Sequence, residues 1–249
     1  YILIFMESLG LNQKDQNVLG STIMFQTKQE EKKIRFIKPE YAYDLDYIEK
    51  LLDKGGRIVN EKMNGCDYWW VEYGGTLNTI ADNEIIRNEL WKIVYGIWDY
   101  IKNSGKYDAD NLTLEWVGSI PGKRESRRLV GDYILKERDI LESSVPDDSV
   151  AYGGWPIDLH PEKGIYNESP NKYRYPSELY GIPFRCLYSS DISNLMFAGR
   201  NISATHVAFG STRVMSTTSL MGQAIGTAAA LCLKKDSVPQ KVGARDLVE

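Results

Sequence analysis

Hydrophobic and polar positions alternate early in the chain and later recur at helical spacing. Val18-Leu19-Gly20-Ser21-Thr22-Ile23-Met24-Phe25 reads as a strand, a charged turn spans Lys28–Lys33, and Ile34-Arg35-Phe36-Ile37 follows. Residues 18–38 therefore predict a hairpin with a polar connection. Tyr41, Leu45, Ile48 and Leu52 recur at steps of three and four, which predicts an amphipathic helix over 41–53 that Gly55 stops. Asp67–Tyr73 is dense in aromatic and β-forming residues and reads as a strand. The clearest helix covers 83–104, where Ile86, Leu90, Ile93, Val94, Ile97, Trp98 and Ile101 make one apolar stripe. Asp82 or Asn83 is placed to cap its start, and Gly105 to supply a left-handed residue at its end. Asn111–Val117 is again a strand. Residues 1–117 thus mix strands and helices in one α/β or α+β unit.

From 118 the texture changes. Residues 143–190 carry Pro146, Pro156, Pro161, Pro170, Pro176 and Pro183, which predicts ordered loops. Asn194–Ala198 reads as a short buried strand running into Gly199. A loop leads to Gly210, and Ser211 or Thr212 is a natural N-cap for a helix at about 213–233. The division this predicts is 1–117 and 118–249.

The rarer residues narrow the chemistry. Two histidines, His160 and His206, allow no H-E-x-x-H zinc site, and no metal ligation is predicted. Cys66, Cys186 and Cys232 form no C-x-x-C and read as reduced, mostly buried thiols. Gly118–Arg124 falls short of a phosphate loop in spacing and in its last residue, and no G-x-G-x-x-G occurs. The 30 Lys+Arg against 34 Asp+Glu give −4, without the basic footprint that nucleic-acid binding needs. Val214–Leu233 has no charge over 20 residues, but its Ser, Thr and Gln content favours a buried small-residue helix over a membrane span. The 249 residues suffice for one large or two modest domains. The chain starts Tyr1-Ile2-Leu3-Ile4, without Met or a recognisable targeting segment, and reads as a piece of a longer protein; its compartment stays open.

One constellation carries chemistry. Strand, Gly199-Arg200-Asn201, loop, Gly210-Ser211-Thr212 and helix together describe an anion site, because free N–H groups and the positive dipole end gather at a helix start. The alternative is glycine turns that only connect elements.

The run NLMFAGRNISATHVAFGSTRVMSTTSLMGQAIGTAAAL (194–231) closely resembles the C-terminal flavin-binding segment of a family of FAD-dependent oxidoreductases. PGKRESRRLVGDYIL (121–135), GGWPIDLH (153–160), IPFRCLYS (182–189), YWWVEYGG (68–75) and LGSTIMFQTK (19–28) also look like this family, so the resemblance spans roughly 18 to 233. It implies a two-domain flavoprotein: a substrate domain with a mixed sheet, here 1–117, and the C-terminal part of a Rossmann-like FAD domain within 118–249. It also implies a missing N-terminal dinucleotide-binding region, supplied in cis or by a partner chain. Carried over by position, Gly199, Arg200 and Asn201 face the ribityl–pyrophosphate of FAD. Gly210 allows a close backbone approach, and Ser211, Thr212, Arg213 and Val214 present a helix start to the flavin ring. Arg213 also reads as a structural, salt-bridged arginine.

His206, in the loop between cofactor strand and helix, and His160, ending WPIDLH, are candidates to take a substrate proton; each also reads as a structural histidine. Arg124, in a charge cluster with Glu125, Arg127 and Arg128, is a candidate to hold an anionic group; such a cluster also reads as a solvated face. In a strand reading, Arg127, Leu129, Gly131, Tyr133 and Leu135 share one side. Tyr68, Trp69, Trp70, Tyr73 and Trp155 read as a flavin or sugar platform, or as packing. The expected function is FAD-dependent oxidation of a small molecule by hydride transfer. A carbohydrate- or ligand-binding module, and a split flavoprotein half needing a partner chain, are the alternatives.

Overall fold

The fold comes from a computed structural model that describes residues 18–168, 171–243 and 246. The Tyr1–Ile4 run lies outside the described residues. Helices and small antiparallel sheets mix along the chain, the α/β texture that the pattern predicts. Two compact units emerge: Asn17–Ser126 with His160–Asn171, and a second whose described residues come from Arg127–Leu159 and Lys172–Glu249. The chain passes between the units at 126/127, 159/160 and 171/172. Residues 118–126 stay with the first unit because Gly122 bridges Thr22 and the Glu125 carboxylate accepts the Leu19 N–H at 2.7 Å.

In the first unit, α1 (Leu45–Gly55) packs on α2 (Asn83–Asn103). The predicted α2 stripe is buried from Ile86 to Ile101. Each such side chain contributes about 1.5–3 kcal/mol on burial, so packing outweighs local propensity. Asp82 is the N-cap but makes no side-chain capping bond; its carboxylate instead accepts the Asn78 N–H at 3.0 Å. Gly105 is left-handed, with φ 74°.

The predicted hairpin does not form. β1 (Ser21–Thr22) pairs antiparallel with β3 (Glu72–Tyr73), and β2 (Phe25–Gln29) with β4 (Leu112–Val117). Residues 34–37 form no strand; the Ile34 N–H bonds to the Asp110 carbonyl. The partners lie far along the chain, where local alternation cannot specify them. The strand expected over 67–73 shrinks to β3, because Gly65–Tyr68 turns as a 3₁₀ helix closed by the Asn64 and Asp67 side chains. Those local bonds compete with ladder pairing.

In the second unit, β5 (Ser149–Gly153) pairs with β8 (Tyr180–Pro183), and β6 (Ile157–Leu159) with β7 (Lys172–Arg174), all antiparallel. The proline-rich stretch is thus built of short strands as well as loops. α3 (Glu137–Leu141), α4 (His206–Thr212) and α5 (Met215–Lys234) follow. Residues 127–135 are not a strand. Their backbone is held by the loop that follows Gly199, with the Leu129 N–H on the Asn201 carbonyl at 2.8 Å and the Leu135 N–H on that of Ser203 at 3.0 Å. The strand expected at 194–198 reduces to one bridge, Tyr188 to Met196.

Among the described residues, no helix is long and apolar enough to cross a membrane. The cysteines are free, but only Cys186 is buried; Cys66 is exposed and Cys232 intermediate, against the expectation of mostly buried thiols. Burial pushes the Cys186 thiol up to about 12, because the thiolate loses its hydration. Thiol alkylation of the native protein at pH 8 is therefore expected to modify Cys66 and spare Cys186, as read by peptide mass spectrometry.

Candidate functional site

The first unit buries a carboxylate. Glu72 lies on β3 with its side chain 1% exposed, its strand held in register by Thr22 of β1. The Glu72 carbonyl packs against Gly164, whose φ is 56°; a Cβ there would run into that oxygen. Glu72 Oε2 is 2.9 Å from His160 Nδ1 and also meets Arg124 Nη2. Arg124 Nε donates to the Gly20 carbonyl at 2.9 Å. The Trp69 ring stands edge-on to His160, centroids 5.3 Å apart and planes at 73°. An isolated buried carboxylate costs several kcal/mol, and a permanently charged guanidinium offsets that cost.

Two predicted site residues, Arg124 and His160, thus come together on a third that the sequence reading did not single out. Of the charge cluster, Glu125 is buried as well, whereas Arg127 is exposed. Of the expected aromatic platform, Tyr68 and Trp70 are core residues, whereas Trp69 and Trp155 are exposed.

The second unit holds the remaining candidates. Asp158, on β6, pairs with Arg213 at 2.7 Å. Burial holds the Arg213 guanidinium below its ordinary value; Asp158 opposes this and Arg200 adds to it. Ser211 Oγ donates to the Trp155 carbonyl at 2.5 Å and shares a hydrogen bond with Tyr180 at 2.6 Å. Burial pushes the Tyr180 phenol up to about 12. His206 opens α4, behind the N-cap Thr205, whose hydroxyl accepts the Ala208 N–H at 3.2 Å.

The helix expected at about 213–233 is α5, but the loop expected before it, up to Gly210, holds the short helix α4, and this moves the predicted helix start. Gly210, Ser211 and Thr212 belong to the end of α4, where Gly210 passes close to the Asp158 backbone, and all three are buried. Val214 is extended and is the N-cap of α5, without a side-chain cap. The free N–H groups of the long helix are therefore those of Val214, Met215, Ser216 and Thr217, since the Thr218 N–H already reaches the Val214 carbonyl. Met215, 86% exposed, and Ser216 escaped the sequence reading; the polar run Ser216-Thr217-Thr218 was their one signal. Gly199 has φ 98° with open space around it, and Arg200 is exposed.

One protein-family model, described as FAD dependent oxidoreductase, matches residues 5–249. No curated protein and no solved structure matches the chain. The second unit has features that suit an anionic, extended cofactor: an uncapped α5 start, the open turn at Gly199, and Arg200 within electrostatic reach of Arg213. Among the described residues, no group of three or more His, Cys, Asp or Glu side chains is placed to hold a metal ion.

Removing one partner of a buried pair leaves the other charge stranded. Asp158→Ala should therefore lower the unfolding free energy by about 3–5 kcal/mol, read by urea titration.

Proposed function

The chain belongs to the FAD dependent oxidoreductase family, and on that premise we propose that it oxidises a small organic molecule by hydride transfer to N5 of FAD. The observation that carries the reading is the uncapped start of α5 beside the Arg213–Asp158 pair. FAD, when bound, supplies the two-electron acceptor. Gly199, Arg200 and Asn201 take its ribityl–pyrophosphate part. Arg213 and the N–H groups from Val214 to Thr217 take the end of the flavin ring where negative charge is best held. Ser211 and Thr212 support this start from inside α4 rather than touching the cofactor. The first unit is the substrate unit. The sequence has no G-x-G-x-x-G, so the rest of the dinucleotide grip comes from a region in cis or from a partner chain.

The substrate loses a proton with its hydride, from a hydroxyl or an amine, and His160 or His206 accepts it. General base catalysis of this kind contributes about 10²–10⁴-fold. His160→Ala and His206→Ala should both leave FAD content unchanged, and at least one should slow flavin reduction by about that factor. Parent rates in both single variants and in the double variant would exclude a histidine base.

A second reading, ligand binding without catalysis, is favoured by one observation. An open cavity of about 380 Å³ in the first unit is lined by Asn60, Lys62, Met63, Asp67 and Trp69. An exposed indole beside polar groups suits a sugar ring. On this reading the chain binds glycans on an array and Trp69→Ala abolishes the binding; absence of glycan binding removes it.

A further inference from the structure

We propose that the open cavity of the first unit is a substrate-recognition site and that it takes a small sugar acid, a polyhydroxylated molecule carrying one carboxylate. That the bound acid is the substrate rests on the reading of this chain as an oxidoreductase; that the cavity binds it does not.

The walls of the cavity are held by a set of short-range bonds. Asn60 Oδ1 accepts the N–H groups of Lys62 at 2.9 Å and of Met63 at 3.1 Å, which closes one wall as a tight turn. Asn64 clamps the next turn to β2 at two points: Oδ1 accepts the Thr27 N–H at 2.8 Å, and Nδ2 donates to the Thr27 carbonyl at 3.1 Å. Asp67 Oδ2 accepts the Asn64 N–H at 2.9 Å. Tyr68, fully buried and stacked on Phe25, then anchors the turn in the core. Walls fixed in this way lose little freedom when a ligand enters.

The same bonds decide which polar groups are left for a ligand. Because Asn60 Oδ1 is the acceptor in its turn, the remaining group is Nδ2, a donor. One oxygen of Asp67 is engaged by Asn64, and the other can accept from a hydroxyl. Lys62 is exposed and makes no ion pair among the described residues, with Asp67 or with any other acid. An unpaired surface lysine is common; this one lines a cavity of about 380 Å³ together with an amide donor and an indole. An uncompensated ammonium with a second donor nearby selects a carboxylate. The Trp69 indole, 41% exposed, offers a flat apolar surface to the C–H groups of a sugar. The volume lies near the low end of the ~300–1,000 Å³ typical of ligand pockets, which suits a small ligand.

The place of the cavity links it to the proposed chemistry. The Trp69 ring that lines it also stands edge-on to His160, so the cavity and one of the two candidate bases share a side chain. A sugar acid carries the hydroxyl that the proposed oxidation needs.

The full chain is labelled with ¹⁵N-tryptophan, and the indole N–H signals are followed while glucuronate, galacturonate, glucose or glucosamine is added, with Trp69→Phe to assign the Trp69 signal. No flavin and no turnover are involved. At least one of the two acids should shift the Trp69 signal saturably and bind about three- to tenfold tighter than glucose, an advantage that shrinks in about 1 M NaCl. Lys62→Met should abolish that advantage and Lys62→Arg should keep it; the side chain is exposed, so both variants are expected to fold. Equal affinity for acid and neutral sugar, tightest binding of glucosamine, no shift of the Trp69 signal with any probe, or an acid preference that survives Lys62→Met each overturns the proposal. Failure of the oxidoreductase reading leaves these titrations unchanged, whereas failure here leaves a flavoprotein that holds its substrate elsewhere.

Discussion

Charge taken out of water must be paired, and in each unit that constraint organises the residues of interest. Glu72 in the first and Asp158 in the second are buried acids, and each is met by an arginine. Neither arginine is adjacent in sequence to its carboxylate, so each pair ties distant segments together. Arg124 joins the 118–126 segment to β3, and Arg213 joins the break between two helices to β6. A hydrophobic core alone would tolerate small slips of these segments; a buried ion pair with one good geometry does not.

The two pairs serve different ends. Around Glu72, one carboxylate oxygen is shared between Arg124 and His160. Around Asp158, the pairing holds Arg213 at the point where the chain leaves α4 and restarts as α5, so a helix start with unpaired N–H groups is fixed next to a retained positive charge. Under the proposed function, the first set would serve proton transfer and the second would hold the anionic cofactor.

What was legible in the sequence follows from the range of the forces involved. The helix over Asn83–Asn103 was readable because its determinants, an apolar stripe and a terminal glycine, are local. Strand pairing was not, because β1 and β2 find partners some fifty to ninety residues away. Arg124 and His160 stood out by residue type. Glu72 did not, since a lone acid between Val71 and Tyr73 reads as a solvent-facing strand residue until its strand is placed. Arg213 was found by resemblance, but Val214 looks like any helical valine, and only its extended backbone moves the helix start from Ser211 to Met215.

Whether these residues hold FAD is read from the visible absorption spectrum of the protein purified from its coding sequence. The expected protein is yellow, with the spectrum of oxidised flavin, and releases about one FAD per chain on denaturation. A colourless protein that cannot be reconstituted with added FAD would contradict it.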